Sequence, residues 1–179
     1  VWWFYCSKAS NQVDKYVIWN YQENLWYTGS LDRSTWIDSG TYPLPYATKY
    51  DGTNSTLFIH EQGKNDDGST LTSFIESGDF DIGDGDDILF VNKLIPDFKN
   101  QVGNVNISLK SRYFPTDTQT TKGPFFYSTS SSKVNVRTRG RQIAVRLESN
   151  GYNNINNDAL DEDWRLGTLR FEVQPDGKR

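Results

Sequence analysis

Short runs of alternating aromatic and β-branched residues recur along the whole chain, and they constrain its fold more than any other feature. Strand-like segments arrive about every 8–12 residues, as they do in sandwiches, barrels and propeller blades. No stretch of about 11 residues carries the i, i+3, i+4, i+7 apolar stripe of a helix. The sequence therefore predicts an all-β protein.

Aromatic side chains have to fill much of the core, because the chain contains six Trp, ten Tyr and ten Phe but no Met. Such residues favour the pleated surface of a sheet. The net charge of −4 over 179 residues argues against a basic nucleic-acid-binding domain. No segment approaches the roughly 20 apolar residues of a membrane-spanning helix, so no membrane span is expected.

Residues 1–68 are predicted to form an antiparallel meander that resembles a β-propeller blade. Three strands, WWFYC, KYVIWNY and LWYTG, are separated by polar turns. A sheet this small cannot bury both faces by itself, and propeller blades solve this by stacking on neighbouring blades. The apolar opening run is therefore expected to be an interior strand of a longer protein. The alternative is a complete sandwich in which this strand is central.

Residues 69–179 are predicted to form a β-sandwich-like region. Val105, Ile107 and Leu109 alternate with polar residues and should face one way. An acidic, glycine-rich turn at residues 83–87 separates two further strand-like runs, and PDGKR reads as a polar stop after the last strand. The Asn-rich segment 149–164 is expected to be a long loop, of the kind that often carries partner contacts, with a short helical turn near NDALDED.

A row of basic residues is the most distinctive charged feature of the chain. In strand geometry one face carries Lys133, Arg137 and Arg139, and the opposite face carries Val134 and Val136. Arg141 and Arg146 extend the row. Arginine suits bidentate contacts to phosphate, so the row is a candidate DNA-facing or inter-subunit surface. The alternative is pairing with acidic neighbours such as those at 158–163.

No catalytic or metal-binding residue is predicted, and no cofactor is expected. His60 is the only histidine, and the second histidine of a His-Glu-x-x-His motif is missing. The spacing of Asp79, Asp81, Asp84, Asp86 and Asp87 departs from a calcium loop, so a solvated turn is the simpler interpretation. Cys6 is expected to be a small buried residue.

Several motifs resemble the C-terminal part of tail nozzle or hub proteins of short-tailed bacteriophages, often labelled tail tubular protein B or virion structural protein. They occur in this order: YVIWNYQENLWYTG, FIHEQG, FIESGDFDIGDGDDILFVNKLIPDF, RTRGRQIAVRLES and WRLGTLRFEVQPDGKR. The resemblance implies a last propeller blade near the start of this chain and a sandwich-like region after it. It also implies a ring, usually of six copies, around the channel through which DNA leaves the capsid.

The sequence therefore predicts a non-enzymatic structural component of a virion tail, located in the phage particle. Its expected partners are copies of itself, neighbouring adaptor, fibre or needle proteins of the tail, and phage DNA in transient passage. Two alternatives remain. One is a carbohydrate-binding β module with aromatic platforms such as Trp26 or Trp36, and the other is a glycan hydrolase that uses two loop carboxylates.

Overall fold

The protein is all-β. The computed structural model describes residues 1–82, 85–150 and 161–178, and these residues form strands, turns and bends without a helix. Hence none of the described residues belongs to a helix that could cross a bilayer. The strands of the first sixty residues are β1 (Trp2–Tyr5), β2 (Lys15–Asn20), β3 (Leu25–Ser30), β4 (Thr35–Ile37), β5 (Tyr46–Tyr50) and β6 (Ser55–Ile59).

The remaining strands lie between residues 65 and 178. They are β7 (Asn65–Asp66), β8 (Ser69–Thr70), β9 (Phe74–Glu76), β10 (Asp87–Val102), β11 (Val105–Arg112), β12 (Thr120–Tyr127), β13 (Val134–Gly140), β14 (Gln142–Ser149) and β15 (Asp163–Lys178). The chain divides into two compact units, Val1–Gln62 and Gly63–Arg179, which meet six residues before the predicted boundary at residue 68.

The first unit holds two three-stranded antiparallel sheets with the orders β1-β2-β3 and β4-β5-β6. The first is the meander that the alternating sequence predicts. Its first connection is closed by Asp14, which accepts hydrogen bonds from the backbone and the hydroxyl of Ser7 at 2.7 and 2.6 Å. These bonds lower the pKa of the Asp14 carboxyl.

The second unit is a sandwich of two sheets. A three-stranded sheet has the order β13-β10-β15, and a four-stranded sheet has the order β12-β11-β14-β9. Their facing side chains form one buried core, which includes Leu89, Val91 and Leu94 from β10 and Val105, Ile107 and Leu109 from β11. Strand alternation explains this, because every second residue of β11 is buried.

Two strands of the second unit differ from the sequence-based prediction. Strand β12 was not predicted, since Gly123 and Pro124 interrupt its alternation. Strand β15 continues through PDG to Lys178, so this segment is not a polar stop. Part of the predicted Asn-rich loop, residues 151–160, lies outside the described residues, as does most of the predicted helical turn.

Gly29, on the outer strand β3, leaves room for an aromatic ring on the β1-β2-β3 sheet. It pairs directly with Tyr16, whose ring lies over it. A Cβ atom at residue 29 would come within 2.3 Å of that ring. The Tyr16 ring also stacks on Trp2, with the ring centroids 5.2 Å apart. The absence of a side chain at residue 29 therefore allows the ring to lie flat on the strand.

The substitution Gly29→Ala should displace the Tyr16 ring and destabilise the first unit by about 1–3 kcal/mol, as overpacking commonly does. Urea unfolding followed by tryptophan fluorescence measures this, because five of the six tryptophans lie in the first unit. The control is the same substitution in a Tyr16→Ala background, where it should cost little. An equal cost in both backgrounds would contradict the proposed role of the ring.

Candidate assembly surface

The two sheets of the first unit pack together through aromatic side chains. Trp36 on β4 lies 5.9 Å from Trp2 and 5.5 Å from Phe4, measured between ring centroids. Trp2, Phe4 and Tyr16 share one face of the β1-β2-β3 sheet, as their pairing register requires. The β4-β5-β6 sheet therefore covers the part of this face around Phe4 and Tyr16, while Trp2, Tyr27 and Leu25 at its far end stay 44–48% exposed.

The opposite face of the β1-β2-β3 sheet remains open to solvent, and we call it the tryptophan face. It is formed by Trp3, Tyr5, Val17, Trp19 and Trp26. Trp3 on β1 and Trp26 on β3 belong to the two outer strands, yet their ring centroids are only 6.1 Å apart. Trp26 also stacks on Trp19 at 5.8 Å. The three indoles thus form a stacked ladder across the sheet.

The indole ladder is exposed to a degree that is unusual for tryptophan. Trp3 keeps 44% of its surface exposed and Trp26 keeps 61%. Tyr5, at the end of the same face, is 46% exposed. Contiguous apolar patches of this kind mark interaction sites, because solvated aromatic area is costly to leave uncovered.

A shallow depression of about 550 Å³ lies at the end of β2, and Trp2, Ile18, Asn20 and Tyr27 of its lining belong to the face opposite the ladder. It is lined by Trp2, Ile18, Trp19, Tyr21 and Tyr27, together with Val1 and the polar Asn20 and Gln22. Trp19 also directs its indole Nε1–H toward the Asn24 side chain at 3.4 Å. The aromatic surface therefore has polar groups at one border.

His60 lies in a structural cluster of the first unit. Its ring is 4.6 Å from the ring of Trp36, and its Nε2 accepts a hydrogen bond from Arg33 Nε at 3.0 Å. The Arg33 guanidinium in turn lies 4.0 Å from the centroid of the Phe58 ring. Cys6, by contrast, is exposed, so the expectation of a buried thiol was wrong; it directly follows β1 at an open sheet edge.

The structure distributes the predicted basic row over three places. Arg137 and Arg139 project from β13 on the outer side of its sheet, and the predicted alternation is confirmed because Val134 and Val136 are buried. Lys133 precedes this strand and is also exposed. Arg141 lies between β13 and β14, and Arg146 lies on β14 in the other sheet. The five residues therefore do not form one continuous surface.

Acidic side chains neutralise three of these five cations. Arg139 pairs with Asp176 at 2.6 Å. Arg141 donates to the backbone oxygen of Gly85 at 2.7 Å and lies 3.3 Å from Asp86. Arg137 has a left-handed backbone conformation, with a φ of 50°. Within residues 1–82, 85–150 and 161–178, neither Lys133 nor Arg137 forms an ion pair.

Arg146 belongs to a charge network on the outer side of the four-stranded sheet. It bonds to Glu148 at 2.6 Å and to Glu76 at 3.1 Å. Glu76 also accepts a hydrogen bond from Lys110 at 2.5 Å. The bonds from Lys110 and Arg146 lower the pKa of the Glu76 carboxyl below its ordinary value of 4.5. The acidic partners of Arg146 among the described residues thus come from β9 and β14.

The acidic stretch that begins at Asp79 is held by basic side chains. Asp79 pairs with Arg112 and accepts a hydrogen bond from Gln119 at 2.9 Å. Asp86 is the partner of Arg141. Gly83 and Asp84 lie outside the described residues. In the part of the chain that the structure describes, no three His, Cys, Asp or Glu side chains converge as a metal site would require.

Neither a family model nor a curated protein sequence matches this chain. The assignment of its function therefore rests on the residues and on their geometry.

The substitution Glu76→Gln should reduce the stability of the second unit by about 1 kcal/mol at pH 7, because it removes the charge that Lys110 and Arg146 share. The folded-state pKa of Glu76 is depressed, so its contribution is present above about pH 4.5 and is lost as the pH falls through the folded-state value. The two proteins should therefore become equally stable in acid.

Chemical denaturation at several pH values measures this difference. Asp67→Asn is a matched control, since it changes the net charge equally at an exposed turn residue of the same unit. A gap between wild type and Glu76→Gln that persists in strong acid would contradict the electrostatic explanation.

Proposed function

We propose that this chain is a non-enzymatic structural component of a bacteriophage tail, and that it assembles into a ring around the DNA-exit channel. The observation that carries the proposal is the tryptophan face, where Trp3, Trp19 and Trp26 stack in the open on a small sheet. Covering that face with another layer of protein would remove a large aromatic area from water. The ordered motifs that resemble tail nozzle proteins point to the same function.

The ion pairs of the basic row favour a channel surface that binds the DNA backbone weakly. Arg139, Arg141 and Arg146 have acidic partners, which weakens their attraction for phosphate, whereas Lys133 and Arg137 form no ion pair among the described residues. Tight binding to the DNA backbone depends on unpaired cations that displace counterions. A channel component on which three of the five basic residues are neutralised would retain DNA less strongly than one with five unpaired cations.

A carbohydrate-binding module is the second candidate, because the indole ladder is exposed and the Asn24 side-chain amide borders it at Trp19. Sugar rings could stack on exposed tryptophans and hydrogen-bond to such amides. In this case the face would stay open in the working protein, and assembly would not be needed.

The substitution Trp26→Ser tests the first candidate. Light scattering after size-exclusion chromatography should show the wild-type chain as an oligomer. The oligomer of the variant should be weaker, so that it dissociates at protein concentrations at least tenfold higher than the wild-type oligomer does. Central aromatic residues of an interface commonly contribute about 2 kcal/mol or more, which corresponds to more than tenfold. Phe126→Ser is the matched control, because Phe126 is 65% exposed but lies in the second unit.

Two outcomes would decide against the ring. A wild-type chain that stays monomeric at all accessible concentrations would contradict assembly. Specific binding to a glycan array that is lost in Trp26→Ser and kept in Phe126→Ser would favour the carbohydrate-binding module.

A further inference from the structure

The β4-β5-β6 sheet also has an open face, on the side opposite Trp36. We call it the aliphatic face and define it by Ile37, Tyr46, Leu57 and Ile59, which share one side of the sheet in the pairing register. Leu57 is 63% exposed and Ile59 is 47% exposed. Their burial would remove branched aliphatic area from water.

Uncharged hydroxyl groups complete the aliphatic face. Thr35 and Thr48 are directly paired, and their hydroxyls are hydrogen-bonded to each other at 2.7 Å. Ser55 continues the same side at the far end of β6. This face therefore carries hydroxyls around an apolar centre, and none of its defining residues is ionisable at neutral pH.

The tryptophan face carries one cation at its border. Lys15 pairs with Ser30 in the register and donates to its hydroxyl at 3.0 Å. If two tryptophan faces met, two Lys15 ammonium groups would be brought together, and the adjoining Asp14 carboxyl would offset them only in part because both of its oxygens already accept hydrogen bonds from Ser7. A partner face with hydroxyls and without cations suits Lys15 better.

The two sheets of the first unit are themselves stacked face to face. The inner face of the β1-β2-β3 sheet packs on the inner face of the β4-β5-β6 sheet through Trp2, Phe4 and Trp36. The unit thus ends in a tryptophan face on one side and an aliphatic face on the other. A second unit placed in the same orientation would continue the alternation of sheets.

We propose that the tryptophan face of one copy binds the aliphatic face of the next copy, so that the chains join head to tail. This inference rests on the proposed ring function and names the surfaces that would build it. A contact between two different faces leaves one free face at each end, and it closes into a ring when the rotation per copy allows. A symmetric contact between identical faces would stop at a dimer.

Complementation between two defective variants tests this geometry. Trp26→Asp breaks the tryptophan face and leaves the aliphatic face intact, whereas Leu57→Asp does the reverse. Each variant alone should be monomeric by light scattering. Their mixture should form a one-to-one dimer and nothing larger, because only one pair of intact faces remains. Leu71→Asp is the control, since Leu71 is 52% exposed in the second unit, and it should assemble as wild type does.

Disulfide trapping gives a second readout with small substitutions that should not disturb folding. In a Cys6→Ser background the chain has no other cysteine, because Cys6 is the only one. Thr28→Cys lies on the side of the tryptophan face and Thr35→Cys on that of the aliphatic face. Under mild oxidation, a chain with both cysteines should give a ladder of covalent oligomers, and either single variant should give none.

The outcomes separate this inference from the proposed function. If the wild-type chain assembles but Leu57→Asp assembles equally well, or if the mixture forms no dimer, the head-to-tail contact is wrong and the ring remains. If single-cysteine variants form disulfide dimers, the contact is symmetric and the inference is overturned. If the wild-type chain is monomeric, the ring itself is refuted.

Discussion

The need to cover both faces of small sheets is the constraint on which this structure depends. A three-stranded sheet has too little area to form a core alone, so its apolar residues require a second layer. The second unit meets this requirement internally, because β10 and β11 bring their aliphatic residues into one core between two sheets. The first unit meets it in part, for the inner face of each sheet, where Trp2 and Phe4 contact Trp36. Its two remaining faces are the origin of the functional proposals.

The sequence predicted which residues within a single strand share a face of the sheet. Alternation within KYVIWNY predicted that Tyr16 and Ile18 share a face, and the structure confirms it. The indole ladder was not predicted, because it depends on register. The turn between β2 and β3 spans residues 21–24, which places Trp19 opposite Trp26. A turn counted as three residues would have offset this pair, and register is sensitive to such a shift of one residue.

The ion-pair partners of the basic residues could not be predicted for a similar reason, because they depend on contacts between distant segments of the chain. The exposed side of β13 could be assigned from alternation alone, since Val134 and Val136 had to face inward. The acidic partners could not be assigned, because Glu76 reaches Arg146 only through the pairing of β9 with β14. These residues are 70 positions apart in the chain. Pairing with acidic neighbours was one of the two interpretations that the sequence allowed for the arginines, but only the topology identifies the carboxylates.

The pairing of β10 with β15 has a consequence for the order in which the second unit folds. β10 is the central strand of its sheet, and one of its two edges is completed by β15, which brings Glu172 to Asn92 from 80 positions away. Closing so long a loop costs entropy before any contact compensates for it, so sheets of this kind form slowly. Until β15 arrives, β10 presents an open edge and an incompletely covered apolar side. Slow maturation, with a period of vulnerability to aggregation, is therefore built into this topology.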